Sequence, residues 1–181
     1  MIPKLDPCNA HEVLKDGGII IYPTEGIYGI GCDALNSDSV DRVFDIKGRS
    51  TKKGFIVICS DVRYLANIVD NNYMDCHELL DKDFTTWIIP AHEKCPSWLV
   101  THNTVAVRVT NHPVIHNLCV GLKGPIISTS ANYSNQIYVN DIKKIEILFD
   151  NKVDCIVNGK LGGEIKPSTI RDIVTKEVLR D

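Results

Sequence analysis

Short, uninterrupted apolar runs rich in β-branched residues set the limits on how this chain can fold. Gly18 to Tyr22 reads Gly-Ile-Ile-Ile-Tyr and is closed by Pro23, and Phe55 to Cys59 has no polar break. Thr85 to Pro90, Thr104 to Val109 and Pro125 to Thr129 have a similar character. Runs of this length bounded by turn residues read as strands, and a strand that is apolar at every position must be covered on both faces. Between them lie segments of helical spacing. Ser37 reads as the N-cap of a helix that carries Val40, Val43, Phe44 and Lys47 and is stopped by Gly48. Residues 24–33 hold Gly26, Gly29 and Gly31 and read as a loop, residues 61–80 as helix-rich, and Pro113 as the opening of a short helix. A helix near 139–149 and strands near 153–157 and 168–174 complete the chain. The expected fold class is α/β, an open, twisted, mixed sheet with helices on both faces.

The 181 residues suit one domain, taken here as 1–181, with no internal repeat or long linker. The net charge of −3 argues against bulk electrostatic binding to nucleic acid, although it leaves room for a local basic pocket. The seven cysteines are odd in number and include no Cys-x-x-Cys pair, so neither a zinc ribbon nor a thioredoxin-type motif is written. They read as free thiols of a reducing compartment. Met1 is followed by Ile-Pro-Lys-Leu-Asp rather than an apolar signal core, and no apolar run approaches the roughly 18 residues of a membrane span. A cytoplasmic protein with no membrane segment is expected.

The strongest local signal is Lys47-Gly48-Arg49-Ser50-Thr51-Lys52-Lys53, four basic residues in seven positions with no acid among them. It suits phosphate oxygens, and equally suits a helix C-terminus, where cations complement the dipole. Ile127-Ser128-Thr129-Ser130-Ala131-Asn132 ends a strand in small hydroxyls and an amide. That offers neutral hydrogen-bonding groups at a sheet edge where α/β proteins bind ligands, or simply turn chemistry. The segment Tyr22 to Gly31 contains G-x-x-G-x-G, the reverse of a dinucleotide fingerprint. Gly159-Lys160 is followed by Leu161, so there is no Walker A loop. Arg108, a charge within Val105-Ala106-Val107-Arg108-Val109, needs an internal partner or a ligand carboxylate. His112, His116 and Cys119 share helical spacing but find no fourth ligand, so no metal site is assigned. Trp87 and Trp98 sit in apolar surroundings and read as core.

Taken together these segments resemble the threonylcarbamoyl-AMP synthases, the YrdC/Sua5/TsaC family, in its short bacterial form. The matches run in order through Tyr22-Pro23-Thr24-Glu25, Lys47-x-Arg49, Lys53-Gly54 and Thr104-Val105-Ala106-Val107-Arg108. They continue with Ser128-Thr129-Ser130-Ala131-Asn132 and Pro167-Ser168-Thr169-Ile170-Arg171-Asp172. The resemblance implies an open twisted sheet around a concave basic cavity, and an enzyme of the nucleotidyltransferase class. ATP, with Mg²⁺, would be a substrate together with L-threonine and bicarbonate. The adenylate would pass to a separate threonylcarbamoyl transferase complex that modifies adenosine 37 of tRNA. By the same resemblance Lys47 and Arg49 are the catalytic pair on the phosphates. Thr104, Ser128, Ser130, Asn132 and Arg180 complete the ATP site, and Thr24, Arg108 and Ser168 hold threonine.

Two segments depart from the family pattern. Asp81-Lys82-Asp83-Phe84 stands where the family has Trp-Pro-Gly-Pro, and Ser134-Asn135 stands where it has Ser-Gly. The competing reading is an RNA-binding module that uses the basic cavity without synthase activity, with weak RNA or tRNA binding. A hydrolase or carbamoyl-transfer enzyme would need a nucleophile or base that the motifs do not supply.

Overall fold

A computed structural model describes residues 1–50, 54–80 and 84–181. The strands are β1 (Lys4–Leu5), β2 (Ile20–Pro23), β3 (Tyr28–Gly31), β4 (Ile56–Cys59), β5 (Thr85–Pro90), β6 (Thr104–Val109), β7 (Ile126–Ser130), β8 (Cys155–Val157), β9 (Thr169–Asp172) and β10 (Val178–Arg180). The α-helices are α1 (Pro7–Lys15), α2 (Ser37–Lys47), α3 (His77–Leu80), α4 (Pro113–Leu122) and α5 (Ile142–Leu148). The strands form one mixed sheet in the order β1-β8-β2-β3-β7-β4-β6-β5-β9-β10. Parallel pairs (β2 with β8, β4 with β6, β5 with β9) occur together with antiparallel ones (β2 with β3, β3 with β7, β4 with β7, β5 with β6). Ile20, Ile21 and Tyr22 are all fully buried although successive side chains point to opposite faces, so the sheet is covered on both faces at β2. Helix α1 packs on α4 and touches β8, α4 touches β4, and α2 touches β3. No helix among the described residues is long and apolar enough to cross a membrane.

Helix α2 shows how local chemistry sets an element. Asn36, not Ser37, is its N-cap, its side-chain oxygen accepting the Ser39 N–H at 3.1 Å. Asn and Ser cap about equally well, so the choice falls to whichever side chain reaches the third amide. At the other end Gly48 adopts φ 57° and the Arg49 N–H returns to the Phe44 carbonyl at 3.1 Å, a left-handed stop of the kind its glycine foretold. Residues 61–80, expected to be helix-rich, instead form two short 3-10 turns, Val62–Leu65 and Asn71–Tyr73, and the single turn of α3. The carboxylates of Asp61 and Asp70 each accept the N–H two residues on, at 2.9 Å, and Asn67 sits at φ 65°. Local side-chain bonds of this kind compete with helix propagation.

The segment read as a loop contains β3, which pairs antiparallel with β2 from Ile20–Gly31 to Pro23–Tyr28. Its glycines have a packing reason. A Cβ on Gly31 would lie 1.8 Å from the Ile127 carbonyl oxygen, and one on Gly29 would lie 3.2 Å from the Tyr22 ring. The buried Tyr22 ring packs over Gly29 and the β7 backbone approaches at Gly31, while the Tyr22 hydroxyl donates to the Ile127 carbonyl at 3.0 Å. Strands β1 and β10 and helix α1 were not anticipated; β1 and β10 are short edge strands with little periodicity to read.

These two glycine environments give opposite expectations for alanine substitution. Gly31→Ala meets backbone and should cost about 3 kcal/mol or more. Gly48→Ala meets nothing within 4 Å and should lose only about 1–2 kcal/mol for its left-handed backbone. Equilibrium urea unfolding of both variants checks the order; equal losses would contradict it.

Candidate active site

Cross-strand partners share a face of the sheet, so the register alone determines which side chains meet. Gly29 opposes Ser130, Ser128 opposes Ile56, Ile56 opposes Ala106, and Ala106 opposes Ile88. Thr104 and Arg108, two residues either side of Ala106, extend the same face. These residues floor a cavity of about 490 Å³, with Arg49, Phe55, His102, Pro167, Ser168 and Arg180 among its walls. A second, more polar cavity of about 320 Å³ is lined by Lys47, Arg49, Ser50, Ser130, Asn132, Ser134 and their neighbours. Arg49 and Ser130 line both, so the two cavities meet there.

Lys47 ends α2 with its side chain 2% exposed. Its ammonium donates to the carbonyls of Ser130 and Asn132 and, at 3.1 Å, to Asn132 Oδ1. All three N–H bonds therefore have protein acceptors, and the cation closes the turn that follows β7. Burial, helped by the nearby Arg49 charge, pulls its pKa down to about 8. Ser130 Oγ donates to Asn132 Oδ1 at 2.6 Å, while Asn132 Nδ2 donates to the Gln136 carbonyl at 2.6 Å. Arg49 donates to the Gly54 carbonyl at 2.8 Å and lies over the Phe55 ring with its carbon 5.1 Å from the centroid. The rest of the basic run, residues 51–53, lies outside the described residues.

At the other end of the floor, Arg108 has found an internal partner. Nη1 is 3.1 Å from Glu25 Oε2, and the other Glu25 oxygen accepts from the Thr110 hydroxyl. Burial lowers the Arg108 pKa and the Glu25 charge opposes that effect. Nε remains buried with no partner. Beside it the hydroxyls of Ser168 and Thr86 lie 2.7 Å apart, and Arg180 Nη2 donates to the Ser168 carbonyl at 2.7 Å.

Of the residues singled out from the sequence, Arg49, Thr104, Arg108, Ser128, Ser130, Ser168 and Arg180 line the larger cavity, and Lys47 and Asn132 the smaller. Thr104 spends its hydroxyl on the Thr101 carbonyl at 2.8 Å. Thr24 lines neither cavity; it is buried, and its hydroxyl donates to the Ile27 carbonyl at 2.8 Å within the β2–β3 turn. Glu25 and Ser134 went unremarked as site residues in the sequence. Ser134 lines the polar cavity with a buried Oγ that has no partner. A lone serine in a turn carries no such signal. His112 Nε2 lies 3.2 Å from the Lys160 carbonyl and Cys119 is fully buried, and among the described residues no cluster of His, Cys, Asp or Glu could hold a metal ion. All seven cysteines are free. Trp87 is buried, and the Trp98 indole donates to the Ala34 carbonyl at 3.1 Å.

A sequence profile of the Sua5/YciO/YrdC family, described as telomere recombination, matches residues 12–181. The chain belongs to this family. Two relatives named threonylcarbamoyl-AMP synthase share 40% identity over 178 residues (Coxiella burnetii, 95% of each chain) and 39% over 175 residues (Pseudomonas aeruginosa, 94% of each). Among solved structures, P. abyssi Sua5 in complex with L-threonine superposes with a TM-score of 0.82 at 25% identity, covering 96% of this chain and 54% of that one. This chain thus spans about half of that protein. E. coli YciO, at 24% identity and a TM-score of 0.77, covers 100% of this chain and 96% of its own and shares the fold. Within the family fold, the Lys47, Arg49, Ser130 and Asn132 side chains converge on the polar cavity from α2 and β7.

Lys47→Met keeps much of the apolar stem but leaves the Ser130 and Asn132 carbonyls without their cation. A stability loss of about 1–3 kcal/mol is expected. Chemical denaturation checks it, and an unchanged midpoint would mean that the ammonium does not hold this turn.

Proposed function

We propose that this chain is an L-threonylcarbamoyladenylate synthase, a nucleotidyltransferase that forms threonylcarbamoyl-AMP and pyrophosphate from ATP, L-threonine and bicarbonate. The observation that carries the reading is the meeting of two unlike cavities at Arg49 and Ser130. One is polar and cationic, suited to a polyphosphate. The other is larger and holds at its floor a buried arginine with an unused N–H, suited to an amino acid's carboxylate. The junction is where a carbamate oxygen would meet the α-phosphate. The two relatives named as synthases, and the threonine complex of Sua5, support the same reading.

In the reaction, the amine of threonine attacks the carbon of bicarbonate and water leaves, giving a carbamate. The carbamate oxygen attacks the α-phosphorus and pyrophosphate leaves. In-line displacement of this kind needs positioning and charge neutralisation more than covalent help. Arg49 and Lys47 stabilise the phosphate charge as it redistributes. Lys47 must exchange one of its carbonyl bonds for a phosphate oxygen, while Ser130 and Asn132 hold the turn. Ser134 extends the polar cavity, while Thr104, Ser128 and Arg180, which line the larger cavity, take the part of the nucleotide that reaches past the junction. Arg108 and Ser168 form the threonine side, and Thr24 supports it from outside through the adjoining turn. ATP is taken as its Mg²⁺ complex. The polar cavity's described lining holds no carboxylate, which suits an ion bound through phosphate oxygens and water. The adenylate then passes to a separate transferase complex for N6-threonylcarbamoyladenosine formation on tRNA, in the cytoplasm.

The first test is pyrophosphate release by the purified chain with ATP, L-threonine, bicarbonate and Mg²⁺. Release should stop when threonine or bicarbonate is omitted, and Lys47→Ala should cost about 2–4 kcal/mol in kcat/KM. No release, with ATP still bound, would overturn the reading and favour an RNA-binding module. A second expectation follows from the Lys47 pKa of about 8, below the usual 10.5. A phosphate against the ammonium favours the protonated form, so ATP binding should take up protons at and above pH 8, and affinity should fall as pH rises through that range. Calorimetric titration in two buffers of different ionisation enthalpy measures the uptake; none at pH 8.5 would place the phosphates away from Lys47.

A further inference from the structure

Arg108 is held more tightly than its ion pair alone requires. Phe84 stands immediately before β5. The Arg108 guanidinium carbon lies 5.0 Å from the Phe84 ring centroid. Glu25 Oε2 faces Nη1 across a 3.1 Å ion pair that is out of hydrogen-bond alignment, and the Thr110 hydroxyl, which donates to the other Glu25 oxygen, accepts the His112 N–H at 3.0 Å. This anchors the carboxylate to the start of α4. What remains of the guanidinium is its Nε–Nη2 edge. Nε is buried and unpartnered, and the ion pair to Glu25 uses Nη1 rather than Nη2. The N–H bonds of these two atoms run side by side and form a fork of the kind that receives a carboxylate. Arg108 itself lines the cavity, whereas Phe84 is not among the lining residues.

We infer that Phe84 is a positioning residue for amino-acid recognition: by stacking on Arg108 it keeps the Nε–Nη2 edge open to the substrate carboxylate without touching the substrate. The inference rests on the synthase reading of the site. Two surfaces act on the guanidinium. The negative face of the ring attracts the cation and fixes its plane. Glu25 competes with the substrate, because its facing oxygen has no hydrogen bond and a carboxylate favours two parallel N–H bonds from a guanidinium. Without the ring the guanidinium is free to turn and close on Glu25 through two nitrogens. That would spend one prong of the fork internally. The aromatic face therefore decides whether this buried arginine serves the fold alone or also the ligand. Phe84 stands at a point where the chain departs from the family's Trp-Pro-Gly-Pro.

The test compares Phe84→Leu and Phe84→Met, which remove the ring, with Phe84→Tyr, which keeps it. Pyrophosphate release is followed at varied L-threonine and at varied ATP, and L-threonine binding is measured separately by calorimetry without ATP. The threonine KM and dissociation constant should rise roughly three- to thirty-fold in Phe84→Leu and Phe84→Met. The ATP KM should stay within about twofold, and Phe84→Tyr should remain close to the parent chain. Thermal unfolding identifies folded variants, and if Phe84→Leu is not among them Phe84→Met carries the comparison. A parent chain whose release ignores threonine would defeat the synthase reading. A threonine-dependent parent with an unmoved threonine KM in the ring-less variants would overturn only the role of Phe84. So would a parallel rise in the ATP KM, or failure of Phe84→Tyr to retain affinity.

Discussion

The ring of Tyr22 lies where β3 carries no side chains, and the middle of the sheet is organised around it. Gly29 and Gly31 leave the space, and the phenol hydroxyl reaches across β3 to the Ile127 carbonyl on β7. Burial raises the Tyr22 pKa well above the usual phenol range, so the group stays neutral and donates. This single contact ties β2, β3 and β7 together, and β7 then carries the pairing on to β4 and β6. The cavity floor is a consequence. With β3 drawn against β7 in this register, Gly29, Ser128 and Ser130 share one face, and the same face continues through Ile56 and Ala106. A one-residue slip of any of these strands would turn the polar side chains of the floor to the opposite side.

The ends of that floor are built on opposite electrostatic terms. Near Lys47 a cation is held by neutral carbonyl dipoles, which among the described residues leaves its charge unpaired with a carboxylate and available to phosphates. Near Arg108 a cation is held by a carboxylate, so the resting pair is close to neutral and the approach of a second carboxylate is less strongly driven. The family fold thus presents a strongly cationic compartment beside a moderated one. Such a division suits a polyanion that must be gripped through a change of charge, and a zwitterionic amino acid whose carboxylate alone must be recognised.

Much of this was legible in residue order. The apolar runs at Ile56–Cys59, Thr85–Pro90 and Thr104–Val109 became β4, β5 and β6 because burial on both faces leaves no other economical use for them. Gly48 ended α2 as a left-handed glycine must. Residues 24–33 misled because glycine there reads as punctuation, whereas Gly29 admits the ring of Tyr22 and Gly31 the backbone of β7. Residues 61–80 misled because apolar residues at rough helical spacing were overruled by two aspartates that bond their own backbone. Arg108 was recognisable as a charge in need of a partner, but its partner was not.

Sequence by itself determined the types of most elements, the end of α2 and the inventory of basic, hydroxyl and amide groups available for chemistry, since backbone preference and burial periodicity are local properties. Tertiary structure alone decided that Glu25 would meet Arg108, that Lys47 would spend its ammonium on the turn after β7, and that Arg49 and Ser130 would stand between two cavities. Those outcomes depend on strand order and register, which follow from the burial of the whole chain at once rather than from any segment of it.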